Sequence, residues 1–334
     1  MKKVGNQTYE LENNISILTG ASIVGRKEGQ GPLSNYFDCV ESDDKMGEKT
    51  FEKGERQMFY KTINLLLKKA EMEKQDIDLY VGGDLMNQLV SSNYTAEKIG
   101  IPFLGLYSAC ATMTESLIVG STFIETGGVD NVICATGSHF STAERQYRYP
   151  LEFGNQRQSY AQWTVTGVGA TLLTKKEKPI KITKFCIGKV TDFGVSDIAN
   201  MGAAMAPAAM ETVSAFFEDT KTGPKDYDLI ATGDLGKLGS DIFKDLMSKK
   251  GYEFQSNYID CGHMMFDITQ DTMQGGSGAG ASASIFNSYI LTKMKKKDFK
   301  KVLLISTGAL MSTTTNQQGD SIPCVAHLVC LEVK

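Results

Sequence analysis

Apolar positions along this chain switch between two periods. From Glu55 to Ala70, the residues Phe59, Ile63, Leu66, Leu67 and Ala70 recur at three- and four-residue spacing. That spacing puts them on one face and predicts an amphipathic helix. Ile77–Val81 is a short apolar run closed by Gly82-Gly83, the pattern of a buried strand. Met113, Leu117, Ile118 and Phe123 return to helical spacing and predict a helix over 109–126, with a further strand over 129–135. Strand and helix patterns in alternation argue for an α/β architecture with largely buried sheets.

The pattern also repeats. Ile77-Asp78-Leu79-Tyr80-Val81-Gly82-Gly83-Asp84-Leu85 is echoed by Tyr227-Asp228-Leu229-Ile230-Ala231-Thr232-Gly233-Asp234-Leu235. Val132–Ser138 is echoed by Leu303–Ala309, and Ile15–Gly20 by Ile180–Phe185. One such echo carries little weight, because strands followed by Gly are common. Three in the same order predict a duplicated chain rather than a solenoid, whose repeats are far shorter. The polar, Pro-ended stretch Lys175-Lys176-Glu177-Lys178-Pro179 marks the expected break, dividing residues 1–176 from 177–334.

Several positions could carry chemistry. Cys110 falls where the second helix should begin, and a thiol there meets unpaired amides and the positive end of the helix dipole, which favour thiolate. Position alone leaves open the commoner case, a cysteine that simply packs. His263, in Asp260-Cys261-Gly262-His263, is one of three histidines and a candidate base for a distant cysteine, or a histidine after a turn. Gly275-Gly276-Ser277-Gly278-Ala279-Gly280 opens a helix running toward Lys293. It lacks the preceding strand and following acid of a dinucleotide site and the Gly-Lys-Ser/Thr ending of a phosphate loop. What remains is close approach of backbone to a ligand or to another helix. Arg145, Arg148 and Arg157 lie in an aromatic-bearing segment that reads as a pocket wall, a surface loop or a subunit interface. The lysines from Lys293 to Lys301 form a solvated helix end or a contact with an anionic membrane surface.

Composition narrows the choices. Charged residues sum to 35 Lys+Arg against 39 Asp+Glu, a net −4, which leaves no global electrostatic footprint for nucleic acid. Seven scattered cysteines in so long a chain read as reduced thiols, and their spacing suits no zinc site. The first residues lack the apolar core of a secretory signal, and no run reaches the length of a membrane span.

The segments Tyr107-Ser108-Ala109-Cys110-Ala111-Thr112, Ala135-Thr136-Gly137-Ser138-His139-Phe140, Tyr147-Arg148-Tyr149-Pro150, Trp163-Thr164-Val165-Thr166-Gly167, Asp260-Cys261-Gly262 and Gly275–Gly280 together resemble the thiolase-like superfamily. Within it, the chain is most similar to the stage V sporulation protein AD family of spore-forming bacteria. The resemblance implies an α/β, duplicated thiolase-like fold in five layers, αβαβα, assembled as a homodimer, with neither metal nor cofactor. It implies a protein that binds dipicolinic acid (pyridine-2,6-dicarboxylate), with or without calcium, without turning it over. The expected role is uptake of dipicolinate into the developing spore and its release at germination. The expected location is the cytoplasmic or forespore side of the spore inner membrane, beside membrane-embedded components of the stage V sporulation A complex. The expected ligand-binding residues are Cys110, Ser138, His139, His263, Gly276, Ser277 and Arg148. Condensing enzymes of the superfamily carry an Asn near the Gly-rich motif where this chain offers Gly276, which removes a donor from the oxyanion hole. The alternative is a Cys-dependent acyltransferase or 3-oxoacyl synthase-like condensing enzyme with Cys110 as nucleophile and His263 as base.

Overall fold

The computed structural model describes residues 1–147 and 156–334, so Arg148 lies outside the described residues. A hairpin of β1 (Lys2–Val4) and β2 (Thr8–Glu10) precedes β3 (Ser16–Val24), against which the short β4 (Cys39–Val40) pairs. Next come α1 (Phe51–Ala70), β5 (Leu79–Gly83), α2 (Val90–Ile99), β6 (Phe103–Gly105), α3 (Thr112–Glu125), β7 (Asn131–Ser138), α4 (Phe140–Tyr147), β8 (Trp163–Thr164) and β9 (Gly167–Thr174). The later part supplies β10 (Ile180–Ile187), α5 (Met201–Thr220), β11 (Leu229–Thr232), α6 (Gly236–Lys249), β12 (Tyr258–Asp260), α7 (Cys261–Met265), β13 (Gly276–Ser277) and α8 (Ala279–Ile285). A π-helical turn, Phe286–Ile290, joins α8 to α9 (Leu291–Lys295), and β14 (Lys301–Ala309), α10 (Thr313–Gln317) and β15 (Cys324–Val333) complete the described chain.

The elements follow the apolar pattern. Helix α1 starts earlier than its periodicity required because the Thr50 hydroxyl accepts from Lys53 N at 3.3 Å and caps it. It buries Phe59, Ile63, Leu66 and Leu67 as expected, together with Met58 and the carboxyl of Glu55. Helix α3 begins two residues after Cys110 and buries Met113, Leu117 and Ile118, while Phe123 remains partly exposed.

Two runs of strands have the same order. In the first, β6-β5-β7-β9-β3, the strands read third, second, fourth, fifth and first along the chain; the second, β12-β11-β14-β15-β10, reads identically. The central strand pairs β5–β7 and β11–β14 are parallel, and β7–β9 and β14–β15 antiparallel. Even the register shift recurs, at Ile17/Thr19 in β3 and Ile182/Lys184 in β10. Each sequence echo falls on one of these corresponding strand pairs. The runs meet where Lys181 of β10 pairs with Ser16 of β3.

Because the parallel strands are covered on both sides, helices form three layers around them. Helix α1 covers the first run from outside, through Ile63, Leu66 and Leu67 against Tyr80, Ile133 and Leu172. Helices α5 and α6 cover the second, through Met205, Phe216 and Phe243 against Ile230, Leu303 and Leu328. Between the runs lie α3 and α8, whose Met113, Leu117 and Ile285 share a core with Val81, Leu173, Leu304 and Val329. Among the described residues, no helix is long and apolar enough to cross a membrane.

Candidate functional site

Cys110 stands at the corner between β6 and α3, at the carboxyl ends of the parallel strands. Ala109 is held in the left-handed region at φ 50°, at a cost of about 1–2 kcal/mol for a residue with a Cβ. Local hydrogen bonds sustain that turn: Ser108 N donates to the Thr112 hydroxyl at 2.9 Å, and the hydroxyl donates to Ala109 O at 2.8 Å. The other run presses on the same corner. Gly308 of β14 approaches so closely that a Cβ there would sit 2.0 Å from Ser108 O. Cys110 is thereby buried at 6% exposure, ahead of the first turn of α3.

The group across from the thiol is Asp234, just past β11. Its carboxyl accepts from Gly278 N at 2.8 Å and from the Thr307 hydroxyl at 2.9 Å, and the Cys110 thiol lies within hydrogen-bonding reach. Burial pushes the Asp234 pKa up to about 7; these three donors oppose the rise, and the charge of nearby Asp260 adds to it. Asp260 is held by Leu235 N, Gly236 N, His263 N and the Thr232 hydroxyl, at 2.8, 3.0, 2.8 and 2.7 Å, yet burial lifts it to about 6. A carboxylate beside a thiol raises its proton affinity, the opposite of what an imidazolium does.

The remaining expected residues are spread around this corner. The imidazole of His263 is exposed, among the charges of Lys237, Asp241 and Lys244 of α6, and partial desolvation lowers its pKa. The structure thus puts a carboxyl at Cys110 and leaves the imidazole facing solvent. The Ser138 hydroxyl donates to Val165 O at 2.7 Å and accepts from Gly280 N at 3.1 Å, fastening β7 to the Gly-rich loop. His139 is buried beside Phe51, with Nδ1 accepting from Ser141 N at 3.1 Å and Nε2 donating to Asp44 O at 2.8 Å. That pattern requires the neutral Nε2–H tautomer, and burial lowers the pKa accordingly.

Gly276 and Ser277 form β13 and pair with Trp163 and Thr164 of β8. Gln162 Nε2 donates to both Gly276 O and Asp234 O at 2.8 Å, tying the Gly-rich strand to the Asp234 loop. A Cβ at Gly276 would come within 2.8 Å of Val165 Cγ2, so a larger residue needs room that Val165 now takes. The two-residue β13 lies inside the Gly-rich segment, and among the described residues no strand directly precedes that segment. Arg157 packs over Trp163 and pairs with Glu144 at 3.7 Å, whereas Arg145 pairs with Glu52 at 2.6 Å on the surface.

Next to the Cys110 corner is a cavity of about 400 Å³, lined by Asn87, Gln88 and Leu89, by Tyr107, Gln146 and Tyr147, and by Met311 to Thr314. Tyr107 donates to the Tyr147 hydroxyl at 3.0 Å, and Tyr147 donates in turn to Leu85 O at 2.5 Å. Desolvation raises the pKa of both phenols, and the nearness of Cys110 adds to each, so the thiol stands just behind this wall. Sequence reasoning missed Asp234, Thr307 and the two tyrosines. The one available signal was the echo itself, which sets Asp84 and Asp234 at the same point after equivalent strands.

Duplicated strand order, helices α3 and α8 between the two runs, and a cysteine at the α3 corner define a thiolase-like protein. Solved structures agree on the fold. The chain is similar to 3-oxoacyl-[acyl-carrier-protein] synthase III from Aquifex aeolicus, with a TM-score of 0.57, 12% identity, and 95% of this chain and 99% of that one covered. It is similar to a variant of OleA from Xanthomonas campestris, with a TM-score of 0.60, 13% identity, and 97% and 99% covered. Within that class, the model of stage V sporulation protein AD matches residues 5–332. Stage V sporulation protein AD of Bacillus subtilis is 40% identical over 332 residues, covering 99% of this chain and 98% of that protein. The chain belongs to the stage V sporulation protein AD family.

Proposed function

We propose that this protein binds dipicolinate without transforming it, and acts in moving that dicarboxylate into the developing spore and out again at germination. The observation that carries the reading is the partner of Cys110. With Asp234 rather than an imidazole at the thiol, a Cys110 thiolate has a carboxyl beside it instead of an imidazolium to stabilise it, which weakens the case for nucleophilic attack on an acyl donor. The cavity beside that corner suits a small planar anion in size and chemistry. Its donors are the amides of Asn87 and Gln88 and the hydroxyls of Ser312, Thr313 and Thr314, while the Tyr107 and Tyr147 phenols, whose protons are committed to each other and to Leu85 O, supply its aromatic wall. Arg148, directly after Tyr147 in the chain, is the proposed cationic partner for one carboxylate. Ser138, Gly276 and Ser277 act from behind, by fixing the Gly-rich loop.

The proposed partners are membrane-embedded components of the stage V sporulation A complex and a second copy of the chain. The edge strand β6 and its exposed Leu104 are the natural seam for a second copy. One observation favours a second reading, an acyltransferase: the left-handed Ala109 still presents Cys110 at a helix start, as a nucleophile's turn would.

Titration calorimetry with dipicolinate, its calcium complex, acetyl-CoA and pyridine-2-carboxylate separates the two. Saturable heat with dipicolinate and none with acetyl-CoA is expected, and Tyr147→Phe should weaken dipicolinate at least several-fold. An acyl adduct on Cys110 after incubation with acyl-CoA, detected by mass spectrometry, would establish the enzyme instead.

A further inference from the structure

We propose that Asp234 takes up one proton from solvent when a dianion enters the cavity beside Cys110, so that ligand binding at this site is proton-coupled. The inference rests on the dicarboxylate-binding reading and adds to it the charge balance of the buried groups behind the pocket.

Among the described residues, the geometry gives Asp234 no cationic compensation. Its side chain is 1% exposed, and every group that donates to it is neutral: Gly278 N from the Gly-rich loop, the Thr307 hydroxyl from β14 and the Cys110 thiol from the α3 corner. Among the described residues no cation pairs with it. The charged or titratable groups facing it from the packed elements are Asp260 at the end of β12, Cys261 of α7, Cys324 of β15 and Cys110 itself. Asp260 also has only neutral donors, so among the described residues the buried ground behind Cys110 holds two carboxyls and no positive charge.

Cys110 stands between these buried carboxyls and the cavity, because its thiol reaches Asp234 on one side and lies close behind Tyr107 and Tyr147 on the other. A dianion placed there adds negative charge on the other side of Cys110 from the buried Asp234 carboxyl, and like charges repel. Protonation of Asp234 removes one of them. The new carboxyl proton is donated to the Cys110 sulfur, and the thiol S–H turns toward the cavity, where it can donate to the ligand carboxylate. No bond other than O–H is made. Burial already holds the Asp234 pKa at about 7, so a modest added potential suffices to complete the uptake near neutral pH.

The test is calorimetric titration of the full-length protein with dipicolinate at pH 6.5, 7.5 and 8.5, in two buffers of different ionisation enthalpy. Dipicolinate is fully ionised across that range, so buffer-dependent heat reports protons taken up by the protein. Uptake should rise toward one proton per ligand at pH 8.5, with affinity falling by up to about tenfold per pH unit above 7. Asp234→Asn should bind with an affinity nearly constant over the range and no buffer-dependent heat. Thr307→Val removes a donor to the ionised carboxylate and should move the fall in affinity to higher pH. This second variant tests the same linkage if the first folds poorly. Asp260→Asn should retain the uptake. Saturable binding whose heat is the same in both buffers, or uptake that survives in Asp234→Asn, overturns the proton linkage and leaves the binding reading standing. Absence of saturable binding in the unsubstituted protein overturns both.

Discussion

Cys110 and Cys261 both follow the third strand of their run, Cys110 five residues after β6 and Cys261 directly after β12, and the two corners are built differently. At the first, the chain turns through left-handed Ala109 and launches a 14-residue helix. At the second, Asp260 caps a five-residue helix through His263 N, and Cys261 is its first residue. Cys261 is fully buried, and desolvation together with Asp260 and Asp234 drives its thiol far above the ordinary value. The first corner faces a cavity, and the second is a closed brace. The two aspartates of the echo diverge in parallel. Asp84 binds Met86 N, Ser92 N and the Ser92 hydroxyl and so ties down α2, next to the buried Glu55 carboxyl. Asp234 reaches across to the Gly-rich loop and β14, and faces Cys110. Duplication supplied equivalent frames, and the side chains at the strand ends gave one frame a pocket and the other a lock.

The strongest test of that contrast removes the brace. Asp260→Ala strands the buried Leu235 and Gly236 N–H groups and the partly buried His263 N–H, leaves the Thr232 hydroxyl to Tyr258 and Ile259 O, and should cost on the order of 3–5 kcal/mol in denaturant unfolding. Asp84→Ala also loses donors but relieves its repulsion with Glu55, so about 1–2 kcal/mol is expected. Equal losses would mean that the second corner is no more of a brace than the first.

A smaller effect is expected at the pocket corner. Gly308→Ala places a Cβ against Ser108 O and should destabilise by about 1–3 kcal/mol. It should also change the rate at which iodoacetamide alkylates Cys110, while Gly128→Ala, where only ordinary contacts are met, should change neither. An unaltered Cys110 rate would show that β14 does not position this corner.

The smallest effect separates the buried acids by pH. Glu28, of the first half, accepts from Thr166 N at 2.9 Å and is raised by burial to about 8. The folded protein therefore keeps a proton that the unfolded chain releases near the ordinary Glu value of about 4.3, and stability falls as pH rises between those values. From pH 7 to 8 the unsubstituted protein should lose about 1 kcal/mol more than Glu28→Gln, because the titration of Asp234 and Asp260 is common to both proteins and cancels in the comparison. Identical slopes would assign that loss to other groups.

The apolar periodicity of this sequence determined α1, α3 and β7, and three echoes marked strands that turn out to correspond in the two runs. It did so because burial of a face is written locally, in the spacing of Phe59, Ile63 and Leu66 or in the run Val132–Ala135. Cys110 was legible as well, since a thiol before an apolar helix is a local feature. That Asp234 meets Cys110, that Ser138 is spent on the Gly-rich loop and that the His263 ring faces solvent were decided only by the tertiary structure. Those facts depend on how two strand runs dock and how tightly each corner turns. A side chain two residues past a strand carries no periodic mark of which neighbour, from the other half of the chain, will stand across from it.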